Sequence, residues 1–257
     1  MPIASSDILF KLSVTTGSAG NSTAQGDPNA SLGKYISTTQ ITDNSANNLF
    51  DDVSGDENAA STVDYRCFFV HNNHGSLTLQ SPKVWLSGPR FTAAASNDTF
   101  TANGHGLTDG MAVRVDAELN TDTLPTGVNN STTYYIVNSA TNTFKLSATQ
   151  GGAAIDLTVD GTGAVRKYFG TDEAIGIDTT AASAIGSASA QALTIANETT
   201  APAGVTFSSP STKAGGLSLG NLPNGQCRAI WVRRTAQNNG AFNSDGITVQ
   251  VTGDTAA

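Results

Sequence analysis

Charged side chains are scarce in this sequence of 257 residues, and basic ones are the scarcer: there are 13 lysines and arginines against 21 aspartates and glutamates. The basic residues are scattered along the chain, so they form no patch able to neutralise a phosphate backbone. The formal net charge of −8 has the same consequence. The composition therefore argues against nucleic acid as a partner.

Long apolar runs are also missing. No run approaches the roughly 20 residues that span a bilayer, and the first residues lack the basic and apolar regions of a signal peptide. These features predict a soluble protein made in the cytoplasm, with no membrane partner. Helical periodicity is weak as well, with at most a turn or two expected near residues 45–50 and 58–62.

Cysteine is rare. Cys67 and Cys227 are the two cysteines of the chain, and each lies in an apolar, strand-like run. Two cysteines are too few for a disulfide framework. The sequence favours two buried free thiols and leaves open a bridge formed after release from the cell.

Short strand signals and turn residues dominate what remains. Apolar residues alternate with polar ones over residues 8–14 and 247–251, so both ends of the chain are predicted to lie in a sheet. Further β-branched and aromatic runs occupy residues 65–70, 83–86 and 228–234. The 26 glycines suit the many turns that such a chain needs. The predicted fold class is all-β.

The stretch from residue 91 to residue 168 differs from its surroundings. It contains five or six short strand signals separated by Gly, Asn and Pro turns, a pattern typical of a small barrel-like module. Because strand signals continue on both sides, we predict a domain inserted into an exposed loop. The expected organisation is an immunoglobulin-like β-sandwich formed by residues 1–90 and 169–257, with an inserted small β-barrel-like domain at 91–168.

Two predictions concern the second half of the sandwich. The poorly periodic stretches at 176–192 and 200–216 are predicted to be long loops. The Pro-Asn-Gly turn at 223–225, which leads into the strand at 228–234, is predicted to belong to a hairpin.

Four segments of the insert carry a resemblance. They are Phe100-Thr-Ala-Asn-Gly-His-Gly-Leu-Thr-Asp-Gly-Met111, Leu124-Pro-Thr-Gly-Val128, Thr133-Tyr-Tyr-Ile-Val137 and Thr143-Phe-Lys-Leu-Ser-Ala-Thr149. In this order and spacing, most of residues 96–163 resembles a small β-module that recurs in virion proteins of tailed bacteriophages. The outer stretches at 6–13, 48–57, 65–70 and 227–234 are similar, more loosely, to phage structural proteins.

The resemblance implies a location in the virion, no enzymatic activity and no cofactor. The partners it implies are the major capsid protein or other virion proteins, together with further copies of the same chain. The leading hypothesis is a capsid decoration or cement protein that stabilises the shell through contacts between subunits. The alternative is a tail, baseplate or fibre-associated protein whose insert binds a host glycan.

An acidic run is the clearest candidate interface. Asp51, Asp52, Asp56 and Glu57 lie within seven residues, and the run predicts either a solvated face or a charged subunit contact. Together with Trp231 they are the candidate interface residues. Calcium binding is the alternative for these carboxylates, although their spacing does not follow an EF-hand loop.

Other motifs give weaker indications. His71 and His74 lack the further ligands of a tetrahedral metal site, and the glycines around His105 predict a local hydrogen bond in a turn. The sequence contains no nucleophile elbow, phosphate-binding loop or zinc-protease signature. Carboxylate pairs assembled by folding stay open. Five aromatic residues are candidates either for a sugar-stacking platform or for the core: Trp85, Trp231, Tyr134, Tyr135 and Tyr168.

Overall fold

The computed structural model describes residues 2–43, 45–130, 132–168, 171–238 and 246–255. Fifteen strands are assigned within these ranges, and all of their pairings are antiparallel. They are β1 Ile8–Val14, β2 Tyr35–Gln40, β3 Val63–Asn72, β4 Leu79–Ser87, β5 Arg90–Ala94, β6 Thr99–Thr101, β7 Ala112–Asp116, β8 Tyr134–Val137, β9 Thr143–Ser147, β10 Gly161–Lys167, β11 Thr171–Ile177, β12 Ser183–Ala184, β13 Leu217–Ser218, β14 Gln226–Ala236 and β15 Thr248–Thr255.

Helix is confined, within the described ranges, to α1 at Gly55–Ala60 and to 3₁₀ turns at Ser5–Asp7 and Pro28–Ala30. None of these is long and apolar enough to cross a membrane. The predicted all-β class is confirmed.

Two of the sheets form a β-sandwich. The first has the strand order β11-β14-β3-β1-β2, with the short β12 also paired to β14, and the second has the order β13-β4-β15. Phe68 of β3 and Ile230 of β14 pack in one apolar cluster with Val84 and Leu86 of β4. Burial of this cluster between the sheets is the main force holding them together.

The central strands of the first sheet are buried on both faces. Phe68 of β3 faces the second sheet, whereas Cys67 and Phe69 face the other way and pack with Trp231 of β14. That second face is covered by residues 178–216, here named the covering segment, which contributes the buried Ala192 and Ile195. Because both faces are covered, β3 has a continuous apolar run rather than an alternating one.

The stretch between β4 and β11 forms a closed barrel with the strand order β10-β5-β6-β9-β8-β7. Its apolar core is separate from the two sandwich cores, and the rings of Phe100 and Phe144 stack in it at 5.3 Å. The barrel strands run from Arg90 to Lys167, which confirms the predicted barrel-like insert in a β-sandwich.

The barrel joins the sandwich at a polar junction. The backbone N–H of Val165 donates to the carbonyl of Pro89 at 3.0 Å, so the chain enters and leaves the barrel at neighbouring points. Trp85 of β4 donates its indole N–H to Glu118 at 2.7 Å, and Ser211 of the covering segment donates to Asp116 at 2.8 Å. Three hydrogen bonds, from different parts of the sandwich, therefore connect it to the barrel.

Two local predictions are corrected. The turn at 223–225 does not close a hairpin, because β13 before it pairs with β4 in the second sheet while β14 after it pairs with β3 in the first. Residues 45–50 contain no helix, and α1 begins before the predicted turn at 58–62 because Ser54 caps it.

Candidate functional site

The acidic segment, residues 51–57, has a fixed local structure. Ser54 Oγ accepts from the backbone N–H of Glu57 at 3.2 Å, and Glu57 Oε2 accepts from the backbone N–H of Ser54 at 2.7 Å. This capping box begins α1 and sets the direction of the acidic side chains. Asp52 and Asp56 are exposed, whereas Asp51 and Glu57 are half-buried.

Two buried arginines lie beneath the acidic segment. Arg66 of β3 and Arg234 of β14 are on the face of the first sheet that packs against the second sheet. They lie near the start of β3 and the end of β14. The ring of Phe50 lies near both guanidinium groups, at 5.3 Å from Arg66 and 4.7 Å from Arg234. Arg234 also donates to the backbone carbonyl of Asp51. These contacts hold the start of the acidic segment against the sheet.

Three carboxylates from distant parts of the sequence meet at this point. Glu57 of α1, Asp64 of β3 and Glu198 of the covering segment each place an oxygen within 4.8 Å of the others. We name these three residues the carboxylate cluster. Arg234 donates to Asp64 Oδ2 at 2.9 Å, and Arg66 donates to Glu198 Oε2 at 2.5 Å.

Asp64 is the most buried member of the carboxylate cluster, with 3% of its surface exposed. Its Oδ1 has no hydrogen-bond donor in the described part of the chain. Burial raises the pKa of Asp64, Arg234 opposes that shift, and the charges of Glu198 and Glu57 add to it.

Trp231 lies in the core and not on an interface, which corrects its place among the candidate interface residues. It is 0% exposed, and its indole N–H donates to Asp178 Oδ2 at 2.6 Å. The alternation along β14 turns it away from the second sheet and under the covering segment. Of the five candidate interface residues, Asp52 and Asp56 are therefore the two that the structure leaves exposed.

The histidines do not converge. His71 is buried on β3, and neither of its ring nitrogens has a hydrogen-bond partner in the described residues. Burial lowers the pKa of His71 to about 4, with a smaller contribution from Lys11. His74 accepts from the backbone of Ser76 and so belongs to a turn. His105 accepts from the backbone N–H of Leu107 at 2.9 Å, as its glycine-rich turn predicts.

The five aromatic residues considered for sugar stacking are divided among different environments. Trp85, Trp231 and Tyr134 are buried. Tyr135 follows Tyr134 on β8 and therefore points to the opposite face of the barrel wall. Tyr168 is 42% exposed, and the Arg114 guanidinium covers its ring at 3.6 Å. The described residues offer no shared aromatic platform.

Both cysteines are free and buried. Cys67 lies opposite Trp231 in the β3–β14 pair, and Cys227 lies opposite His71. The two positions are thus separated by four residues along the strands, or about 13 Å at 3.3 Å per residue, which is too far for a disulfide. Burial raises the pKa of Cys227 to about 12 and that of Cys67 well above its usual value.

Comparison with protein-family models, with curated proteins and with solved structures gave no match.

Proposed function

We propose that the chain is a non-enzymatic structural protein of a bacteriophage particle, and that it decorates the capsid. Many copies would bind across neighbouring capsid subunits, and each bound copy would stabilise the assembled shell relative to its dissociated state. The resemblance of residues 96–163 to a module of tailed-phage virion proteins supports this proposal. The partners proposed are the major capsid protein and further copies of the same chain.

The anchoring of the acidic segment is the observation that supports its role as the contact surface. Of its exposed carboxylates, Asp52 lies between the Arg234 contact to Asp51 and the capping box of α1, and Asp56 lies within that box, between Ser54 and Glu57. Because the backbone is held at both ends, little conformational freedom is lost when a partner binds. The acidic segment is suited to a basic surface on the neighbouring subunit.

The remaining surface suits polar contacts. Among the described residues, the large apolar side chains that are exposed are Val159, at 55%, and Tyr168, at 42%. On the described part of the chain, these two side chains do not make an extended apolar patch of the kind that marks obligate interfaces. Charge complementarity and polar rim contacts, repeated over many copies, would then supply the binding energy.

The experiment that tests this proposal measures binding to capsids that lack the protein, taken from the phage that encodes it. Wild type should raise the disruption temperature of the capsids and saturate at tens to hundreds of copies. The double variant Asp52→Asn/Asp56→Asn should bind at least about tenfold more weakly, because it removes two charges from the contact surface. Asp172→Asn/Asp254→Asn removes the same charge from two other exposed positions and should bind like wild type.

Each other outcome has a defined meaning. Equal binding by both double variants would contradict the role of the acidic segment. Saturation at about six or twelve copies would favour the tail or fibre alternative. Failure of the wild type to bind the shell would contradict capsid decoration.

A further inference from the structure

We infer that the carboxylate cluster, Glu57, Asp64 and Glu198, is a calcium-binding site. The three side chains come from α1, from β3 and from the covering segment, so they are brought together only by the fold. Carboxylate oxygens are the hard ligands that calcium prefers.

The spacing of the oxygens fits one ion. Calcium binds oxygens at about 2.3–2.6 Å, so two ligands on opposite sides of the ion lie about 4.6–5.2 Å apart. The ligand atoms of the cluster all lie within 4.8 Å of one another, which allows all three to contact the same ion. The opposite-side spacing around magnesium is about 4.2 Å at its shorter bond length, and magnesium demands a stricter octahedron. Three protein carboxylates at one site suit calcium, since magnesium usually binds through one or two carboxylates and keeps several waters.

The hydrogen bonds of the cluster leave oxygens available for an ion. Glu57 uses Oε2 for the capping box, Asp64 uses Oδ2 for Arg234, and Glu198 uses Oε2 for Arg66. These bonds engage one oxygen of each carboxylate and fix its orientation. The second oxygen of each is not used in these bonds, and further calcium ligands would be water.

Asp64 supplies an independent reason for a ligand at this position. It is 97% buried, since 3% of its surface is exposed, yet its Oδ1 has no donor within the described ranges. A buried carboxylate oxygen without a partner is costly. A cation held between Asp64 and the other two carboxylates would remove that cost.

The local charge balance agrees with a divalent ion. Four carboxylates, those of the cluster and of Asp51, surround the two guanidiniums of Arg66 and Arg234. When all six groups are ionised, two negative charges are left over, which one Ca²⁺ would neutralise. The Glu198 side chain is 40% exposed, so the site is open to solvent on that side.

Bound calcium would connect three elements that are distant in sequence. It would join α1, and with it the end of the acidic segment, to β3 and to the covering segment. Calcium should therefore bind the folded chain and not the unfolded one, and it should raise the melting temperature.

The test is calorimetric titration of the full chain with CaCl₂ after treatment with EDTA, paired with thermal melts in EDTA and in calcium. We expect one ion per chain and a higher melting temperature in calcium. Glu198→Gln should weaken the calcium affinity at least about tenfold, because it removes a charged ligand, while its amide oxygen can still accept from Arg66. Asp52→Asn removes a charge from the same region outside the cluster and should bind calcium like wild type.

Two further measurements complete the design. Asp64→Asn should also weaken calcium binding. If this variant does not fold, Glu198→Gln at a partly exposed position still tests the site. MgCl₂ in place of CaCl₂ should bind more weakly. Absence of calcium binding by the folded wild type at millimolar concentration would overturn the inference, as would unchanged affinity in Glu198→Gln or equal affinity for magnesium.

Discussion

The indole N–H of Trp231 donates to Asp178 Oδ2 at 2.6 Å, in the space between the first sheet and the covering segment. The same carboxylate accepts from the backbone N–H of Leu193 at 2.9 Å and from that of Thr180 at 2.7 Å. Asp178 thus connects β14 to two points of the covering segment. Three donors satisfy the buried carboxylate, and removal of one of them should destabilise the fold because a buried acceptor then lacks a partner.

Replacement of Trp231 by Phe should lower the free energy of unfolding by about 1–3 kcal/mol, because Asp178 loses a donor in a buried site. Urea denaturation measures this change. Tyr168→Phe is the control, since it alters an exposed aromatic residue by a single hydroxyl and should change stability by less than about 0.5 kcal/mol. Equal effects of the two substitutions would show that the Trp231–Asp178 bond contributes nothing.

Removal of the barrel should leave a folded sandwich. In a variant with residues 90–167 replaced by a short Gly-Ser linker, the two sandwich cores stay complete, because neither contains a barrel residue. The contact between Val165 and Pro89 shows that a short linker can close the gap. We expect a cooperative urea transition with reduced stability, and red-shifted tryptophan fluorescence because Trp85 loses Glu118 and its cover. A non-cooperative transition would contradict the insertion of the barrel as a separate domain.

His71 should make stability depend on pH. Its pKa is lowered from 6.5 to about 4 by burial, so the unfolded chain takes up a proton at a higher pH than the folded chain does. The stability that neutral His71 provides is complete above about pH 6.5 and decreases as the pH falls towards 4. Between pH 7 and pH 4.5, the free energy of unfolding of wild type should fall by on the order of 2 kcal/mol more than that of His71→Gln.

The measurement for His71 is urea denaturation at a series of pH values. His74→Gln is the matched control, since His74 lies in the adjoining turn, and it should keep the wild-type dependence. A His71→Gln variant with the same pH dependence as wild type would contradict the assignment.

The two thiols should be unreactive in the folded chain. Cys67 and Cys227 are buried, and burial raises the pKa of both, so the reactive thiolate is suppressed. A thiol reagent such as DTNB should label neither cysteine in the native protein and both in urea without reductant. A count of zero thiols in urea would instead reveal a disulfide between them.

The strands with a strong local pattern could be predicted from the sequence. The runs at 8–14, 65–70, 83–86 and 228–234 lie in strands, as does the run at 247–251 apart from Ile247, which precedes β15; alternation or apolar β-branched residues mark them locally. The barrel was predictable for the same reason, since its turns follow one another at short intervals. Sandwich and barrel are both present in the structure.

Elements that depend on distant partners were not predictable. β2 and β11 have weak local patterns and exist because β1 and β14 pair with them. The covering segment has low hydrophobicity, and its role as the cover of a sheet face comes from contacts such as that between Ile195 and Leu32. Trp231 was a candidate for an interface as well as for the core, because alternation alone does not say that both faces of β14 are covered.

The carboxylate cluster also depends on distant parts of the sequence and could not be predicted. The acidic segment is visible in the sequence, but Asp64 and Glu198 are separated by 134 residues and carry no shared motif. Arg66 and Arg234, which hold them, are brought near each other only by the register of β3 with β14, in which Arg66 lies opposite Val232 and Arg234 lies opposite Asp64. No local spacing predicts such an arrangement, because the ligands come from a helix, a strand and the covering segment and meet only through the fold.

The central claim, that the chain is a structural component of the phage particle, is tested most directly by its copy number in purified virions. Quantitative mass spectrometry, with the major capsid protein as the internal reference, gives that number. We predict tens to hundreds of copies per particle, as expected for a protein bound across the capsid surface. Absence of the protein from purified particles would contradict the claim.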